Sequence, residues 1–332
     1  MNFFRIPLIT LFLLRSHSSF AIRKRPVTLL TFDVDGTLIQ GSSQAAQVSA
    51  HARAFCNAVG KVFGNINNWE KEVPSPPAII PSDRYHGSTD GIIALNLAYY
   101  GFKIDPEDSF AKLNLVFEEM YKYVAALSDE EVAKGIDVLN GVTTHLTEFA
   151  SNPKYNNGKL LIGLVTGNVE GIARKKMRAV GLLKTKAFSE KAVDQTWNGE
   201  NDHAFLGGFG SCYCSGNIKD PDRIFKDRGE QLLIAIRRAR SCLKEDQELV
   251  RVVHIGDAPA DILAAKYCSE TLRRLDDNLQ VGMVAVATGK FSANDLSKFI
   301  GTSDQYWDPV VLPLGMGDPD FINYCKIIVE DN

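Results

Sequence analysis

Val27-Thr28-Leu29-Leu30-Thr31-Phe32-Asp33-Val34-Asp35-Gly36-Thr37-Leu38 reads as a buried strand that ends on two carboxylates and a glycine. Near-continuous hydrophobicity, rather than apolar–polar alternation, is what a strand covered on both faces of a parallel sheet requires. Four further runs have the same character: Leu160–Val165, Val250–Ile255, Val281–Ala287 and Pro309–Leu312. Helical patterns lie between several of them, over Val169–Val180, Glu230–Cys242 and Ala260–Cys268, each with Ala, Leu or Ile at helical spacing beside Arg and Lys. This alternation predicts an α/β protein with a Rossmann-like, doubly wound parallel sheet.

One segment breaks the alternation. Between Ser43 and Ala133 only helical patterns occur, over Ala45–Phe63, Gly91–Tyr100, Ser109–Ala126 and Asp129–Lys134. Pro74, Pro76, Pro77 and Pro81 read as a stiff link where helix is disfavoured. An all-helical module of residues 43–134 is thus expected inside a core of residues 27–42 and 135–332. Gly199–Lys226, rich in Gly and polar residues, reads as a surface loop.

The 332 residues suffice for one large domain or two ordinary ones, and 45% hydrophobic with 23% charged residues excludes a disordered or collagen-like chain. Lys plus Arg number 37 against 40 Asp plus Glu, a net charge of −3, so no basic excess exists to bind a nucleic acid backbone. The six cysteines are too dilute for a disulfide framework, and none has the paired spacing of a zinc site. Residues 1–26 stand apart: Arg5, then an apolar run from Ile6 to Leu14 too short to span a membrane, then small polar residues. A secretory signal is one reading, which leaves no membrane segment in the mature form. The Ser18-Ser19-Phe20-Ala21 stretch before Arg23-Lys24-Arg25 also resembles the bipartite plastid presequence of algae with secondary plastids. A misassigned start, with a cytoplasmic protein, is the third.

The chemistry collects at strand ends. In open α/β sheets ligands bind beyond the carboxyl ends of the strands, where Asp33 and Asp35 fall. The Val250–Ile255 run ends in Gly256-Asp257-Ala258-Pro259-Ala260-Asp261, which puts Asp257 at the strand end and Asp261 one helical turn later. The Leu160–Val165 run ends in Thr166-Gly167-Asn168. Clustered carboxylates repel unless a cation or proton intervenes. Mg²⁺ suits them, taking one or two carboxylates plus substrate phosphate oxygens. One Asp can then attack phosphorus while its neighbour serves as acid and base. Thr166 and the amides opening a helix at Gly167 suit a phosphate oxygen.

Asp33-Val34-Asp35-Gly36-Thr37, Val165-Thr166-Gly167-Asn168 and Gly256-Asp257-Ala258-Pro259-Ala260-Asp261 together resemble motifs I, II and IV of the haloacid dehalogenase superfamily, in order and spacing. The helical insertion sits where that family's type 1 cap sits, and the resemblance runs from Val27 to about Leu312. It implies Asp33 as nucleophile, Asp35 as acid/base, and Mg²⁺ held by Asp33, the Asp35 backbone carbonyl and Asp257, with Asp261 supporting the metal site. Thr166, with Gly167 and Asn168, would bind the phosphoryl group. The family's motif III cation would be Arg228, just before the helix that precedes the Val250 strand, with Lys226 in reserve. Gly207–Ser211 ahead of it resembles a phosphatase branch, but the common Lys-Pro pattern is missing. The acid at position 35 separates phosphatases and phosphomutases from dehalogenases, because an alkoxide leaving group needs a proton. The expected activity is a Mg²⁺-dependent phosphomonoester hydrolase of the phosphoglycolate phosphatase-like type. Its substrate would be a small phosphorylated metabolite, phosphoglycolate or a small sugar phosphate by resemblance alone. A phosphomutase on the same scaffold and a non-catalytic binding protein that kept the fold are the rivals.

Several residues admit plainer roles. His86-Gly87-Ser88-Thr89-Asp90 resembles a substrate-facing cap segment, and equally a helix N-cap ahead of Ile92 and Ile93. His254 is expected as a satisfied core histidine, Cys212 and Cys214 as a metal-free pair, and Arg174, Lys175 and Lys176 as a solvated helix face.

Overall fold

The computed structural model describes residues 24–41, 49–64, 75–85, 87–189 and 205–328. The amino-terminal residues through Arg23, expected as a signal or a misassigned start, the start of the Ala45–Phe63 pattern, Pro74 and His86 lie outside the described residues. Among the described residues no helix is long and apolar enough to cross a membrane.

Six parallel strands form the central sheet: β1 (Arg25–Phe32), β4 (Leu160–Thr166), β5 (Gly207–Phe209), β6 (Gln247–Gly256), β7 (Gln280–Val286) and β8 (Trp307–Leu312), in the order β5-β4-β1-β6-β7-β8. The chain moves outward from β1 through β4 to β5, then returns to the other side of β1 with β6 and continues to β8. The three strands that end in the acidic and hydroxyl motifs are therefore neighbours, with β1 between β4 and β6, at the point where the direction of winding reverses. Their registers place Phe32 beside Leu164 and Ile255. A short antiparallel ribbon, β2 (Ile39–Gly41) with β3 (Ile136–Val138), stands at the entry and exit of the helical insertion.

The insertion contains α1 (Ala50–Val59, continued by one π-turn over Gly60–Gly64), α2 (Pro76–Ile79), α3 (Ser82–Tyr85), α4 (Asp90–Phe102), α5 (Pro106–Ala111), α6 (Leu113–Ala125) and α7 (Asp129–Ala133). Local signals set its boundaries. Ser49 accepts from the Ala52 amide to start α1, and Ser128 with Glu131 forms a reciprocal capping box on α7. The proline link departs from expectation: Pro76 and Pro77 open α2, because a helix's first turn has no use for the missing N–H.

Around the sheet lie α8 (Val142–Ser151), α9 (Glu170–Ala179), α10 (Arg223–Ser241), α11 (Pro259–Arg274), α12 (Ala293–Ile300) and α13 (Phe321–Cys325). One face of the sheet packs Leu30, Phe32, Leu164 and Ile255 against Leu146 and Phe149 of α8 and Met177 of α9. The other packs Leu29, Val252 and Val281 against Leu232 and Ile236 of α10 and Ile262 of α11. A third apolar cluster is centred in the insertion, on Phe55, Ile93, Leu97, Phe117 and Met120, and takes in Val169 and Ile172 at the start of α9. Full burial of side chains of that size is worth about 2 kcal/mol each, so these two core residues fasten the helical layer to the sheet layer.

Gly199–Lys226 is not wholly surface loop. Gly207–Phe209 is the buried edge strand β5, and Arg223 already belongs to α10.

Candidate active site

A cavity of about 460 Å³ opens at the carboxyl ends of β1, β4 and β6, beneath the helical layer. Asp33, Asp35, Asp257 and Arg228 line it from the sheet side, and His51 and Asp90 from α1 and α4.

Asp33 is the first residue beyond β1, and its amide donates to the Ile255 carbonyl at 2.9 Å, the last rung between β1 and β6. Carboxylate oxygens of Asp33, Asp257 and Asp261 lie within 4.8 Å of one another, all three buried. Asp257 leaves β6, while Pro259 starts α11 and Asp261, on its first turn, accepts from the Ala258 amide at 3.0 Å. The close approach of β1's loop to Asp257 requires glycine at position 36, where φ is +90° and a Cβ would collide with the Asp257 carboxylate. Thr37 Oγ1 donates to Asp257 Oδ1 at 3.3 Å.

Arg228 supplies the positive charge. Its Nη1 donates to Asp33 Oδ2 at 3.2 Å and to Asp261 Oδ1. It lies on α10 rather than ahead of it, because that helix begins at Arg223. Lys226 instead donates to Asp222 at 3.0 Å, away from the acids. His254, buried on β6, contacts Thr31 Oγ1 at 3.0 Å and Asp261 Oδ1 at 3.3 Å, a satisfied interior histidine as expected. Burial would raise the Asp261 carboxyl, but Arg228 and His254 outweigh it and hold the group well below the usual range. Burial raises Asp33 despite Arg228, and Asp257 is driven well above the ordinary carboxylate range by burial and by the negative charges of Asp261 and Asp33.

Asp35 belongs to a different set of contacts. Lys176 Nζ, on α9, donates to both of its oxygens at 2.9 and 2.8 Å, and Asn168 Nδ2 donates to Oδ2 at 2.8 Å. Burial opposes ionisation of Asp35, but the Lys176 charge prevails, together with the hydrogen bonds from Lys176 and Asn168, and brings its pKa down to about 2. Asn168 also accepts from Lys176 at 2.8 Å and donates to Thr166 Oγ1 at 3.1 Å. Gly167 and Asn168 line the cavity, whereas Thr166 is fully buried.

Lys176 overturns one expectation. Far from being solvated, Arg174 and Lys176 are buried, with Lys176 only 4% exposed. Neither Lys176 nor His51 was marked by sequence as part of the site, although Lys176 shares the inward stripe of α9 with Ile172, Ala173 and Met177. Asp90 is the first residue of α4, after an N-cap at Thr89 that makes no side-chain capping bond, and its Oδ2 accepts from the Val169 amide at 2.8 Å and contacts His51 Nε2 at 2.9 Å. Cys212 and Cys214 stand outside the acidic cluster, and Cys212 Sγ lies 3.4 Å from Arg238.

The model of haloacid dehalogenase-like hydrolases matches residues 27–269, most of the chain. The chain belongs to the haloacid dehalogenase-like hydrolases. Among solved structures it is similar to a β-phosphoglucomutase from Clostridium difficile, with a TM-score of 0.42 and 14% identity over 90% of this chain and 96% of that one. No curated protein matches. Membership of the haloacid dehalogenase-like hydrolases accords with phosphoryl-transfer chemistry in this cavity.

The donor set fits a hard divalent cation. Three buried carboxylates lie together, only Asp33 and Asp261 paired with Arg228, and Asp33 and Asp257 are pushed toward protonation by burial and mutual repulsion. A cation among all-oxygen donors relieves that strain. Both oxygens of Asp261 are already engaged, by Arg228, His254 and the Ala258 amide, so Asp33 and Asp257 are the two that would be free to ligate such a cation directly.

Proposed function

We propose that this haloacid dehalogenase-like hydrolase is a Mg²⁺-dependent phosphomonoesterase acting on a small phosphorylated metabolite. The observation that carries the reading is the sharing of one cavity by Asp33, Asp35, Asp257 and Arg228. Asp33 would attack phosphorus and Arg228 would hold its carboxylate in place. Mg²⁺ held by Asp33, the Asp35 backbone carbonyl and Asp257 would offset phosphoryl charge. As the Asp33–phosphorus bond forms, the ester oxygen departs with a proton from Asp35. Asp35 enters as a carboxylate and takes up this proton from the arriving phosphate monoanion, whose negative charge raises its proton affinity. In the second half-reaction Asp35 takes a proton from the water that attacks the Asp33 acyl phosphate and passes it to the departing inorganic phosphate, which restores the enzyme. General acid help of this kind is worth about 10²–10⁴-fold. Residues 43–134 act as the cap over the cavity, and the amino-terminal segment as a secretory signal.

Purified protein is expected to release phosphate from para-nitrophenyl phosphate with Mg²⁺ and to stop with EDTA. Asp33→Asn should abolish turnover while its circular dichroism stays native. Near-wild-type activity in Asp33→Asn would exclude Asp33 as nucleophile. An isomerised sugar phosphate in place of free phosphate would make the enzyme a mutase.

A further inference from the structure

A chain of hydrogen bonds runs from the helical layer to Asp35. Lys176 Nζ donates to both Asp35 oxygens, to Asn168 Oδ1, and at 3.1 Å to His51 Nδ1. A lysine ammonium has no acceptor capacity, so Nδ1 is the accepting nitrogen of His51. The ring proton therefore sits on Nε2 and is donated to Asp90 Oδ2 at 2.9 Å. That same oxygen accepts the Val169 amide, which opens the helix bearing Lys176. His51 is further stacked on Phe55 at 5.0 Å between ring centroids.

Lys176 is consequently gripped from two layers. Its side chain is only 5% exposed, whereas half of the Asp35 side chain faces the cavity. Asp35 lies in the turn beyond β1, its backbone held in an isolated bridge to Ile39. Two nearly equal contacts from Lys176 and one from Asn168 select a single orientation.

We propose that Lys176, oriented by the His51–Asp90 pair of the helical layer, is a positioning residue that aims the Asp35 carboxyl at the leaving-group oxygen. The inference rests on Asp35 being the acid/base of a phosphomonoesterase. It adds that the aim of this acid depends on α1 and α4 as well as on the sheet.

The test compares two esters by kcat/KM, which reports events only up to departure of the leaving group. Glycerol 2-phosphate releases an alkoxide that needs a proton. Para-nitrophenyl phosphate releases a phenolate that leaves unaided. With Lys176→Met, kcat/KM for glycerol 2-phosphate is expected to fall about 100-fold, near the lower range of general acid contributions, and for para-nitrophenyl phosphate by less than about tenfold. His51→Ala should show the same bias with a loss of about tenfold on the alkyl ester. Nitrogen-15 spectra of the histidines should show the Nε2–H form at His51 in the wild type and lose that preference in Lys176→Met. Equal losses on both esters would make Lys176 a binding or structural group and overturn the proposal. Should Lys176→Met fail to fold, an unbiased His51→Ala, or a wild-type His51 protonated on Nδ1, overturns it. A wild type that hydrolyses neither ester with Mg²⁺ removes the phosphatase reading, and the proposal with it. In contrast, an active wild type with unbiased variants removes the proposal alone.

Discussion

Replacing Arg228 with Met should reveal how much of the site's stability rests on one guanidinium. Arg228 is 4% exposed and serves Asp33 and Asp261, while Asp257 completes a carboxylate cluster spanning no more than 4.8 Å. At that separation and an effective dielectric of about 20, each pair of ionised carboxylates repels by about 3.5 kcal/mol. Proton uptake limits the loss, since Asp33 and Asp257 already have raised pKa values and can shed charge. A deficit of about 3–5 kcal/mol is therefore expected at pH 7.5, the cost of stranding a buried charge. That corresponds to a fall in Tm of roughly 6–15 °C. Its pH dependence is fixed by sign. Asp261 is depressed by Arg228, so the wild type gains stability above the unfolded carboxylate pKa of about 4 and loses it as pH falls through the depressed value. Asp33 and Asp257 are raised, so the penalty of ionising them lifts as pH falls through their raised values. The deficit of Arg228→Met should thus shrink between pH 7.5 and 5. Thermal melts in EDTA at both pH values measure this, and added Mg²⁺ should stabilise the variant more than the wild type. A difference within about 0.5 kcal/mol, unchanged by pH, would refute the reasoning.

Further expectations concern other parts of the molecule. A Cβ at position 289 would collide with Asp257 Oδ2, so Gly289→Ala should weaken Mg²⁺ activation about 10–100-fold in an activity titration, with the secondary structure intact. Cys242 is exposed, whereas burial pushes the Cys56 thiol up to about 11 and, with the charge of Asp227 added, Cys214 up to about 12. Iodoacetamide at pH 8 should label Cys242 well ahead of Cys56 and Cys214, and peptide mass analysis showing equal rates would contradict that burial. Arg25→Ala removes only an exposed pair with Asp246 at 2.7 Å, and its Tm should stay within about 2 °C of wild type.

Sequence reveals those features whose cause is local. The five long strands are apolar along their length because both sheet faces are covered, and three of them deliver their motifs to adjacent places. Arg228 could be anticipated because the family resemblance calls for a cation ahead of the Val250 strand, with Lys226 as the other candidate. β5 could not: Gly207–Phe209 has three residues, two of them glycine, and is a strand only through its pairing with Leu164–Thr166. Lys176 misleads for a related reason. Beside Arg174 and Lys175 it looks like part of a wet basic face, and its partner Asp35 is far away in the sequence. Its place in the apolar stripe with Ile172 and Met177 is a usable signal, since a lysine there must find an anion or remain unburied. His51 meets Lys176, and Asp90 meets His51 and the Val169 amide, only because the helical layer folds back onto the start of α9, a contact no local pattern encodes.

The two acids of Asp33-Val34-Asp35 also show how topology separates roles that sequence places side by side. Asp33 ends a strand and points among the acids of β6 and α11, where burial and repulsion raise its proton affinity. Two residues on, Asp35 meets a lysine from the helix after β4, and its pKa falls to about 2. Each acid thus has its own cation, Arg228 on α10 and Lys176 on α9, reached by separate crossovers. One shared cation would couple the two protonation states directly and leave neither free to change alone. With separate partners, Asp35 could exchange a proton while Asp33 carried phosphorus, the division of labour that the proposed two-step hydrolysis would need.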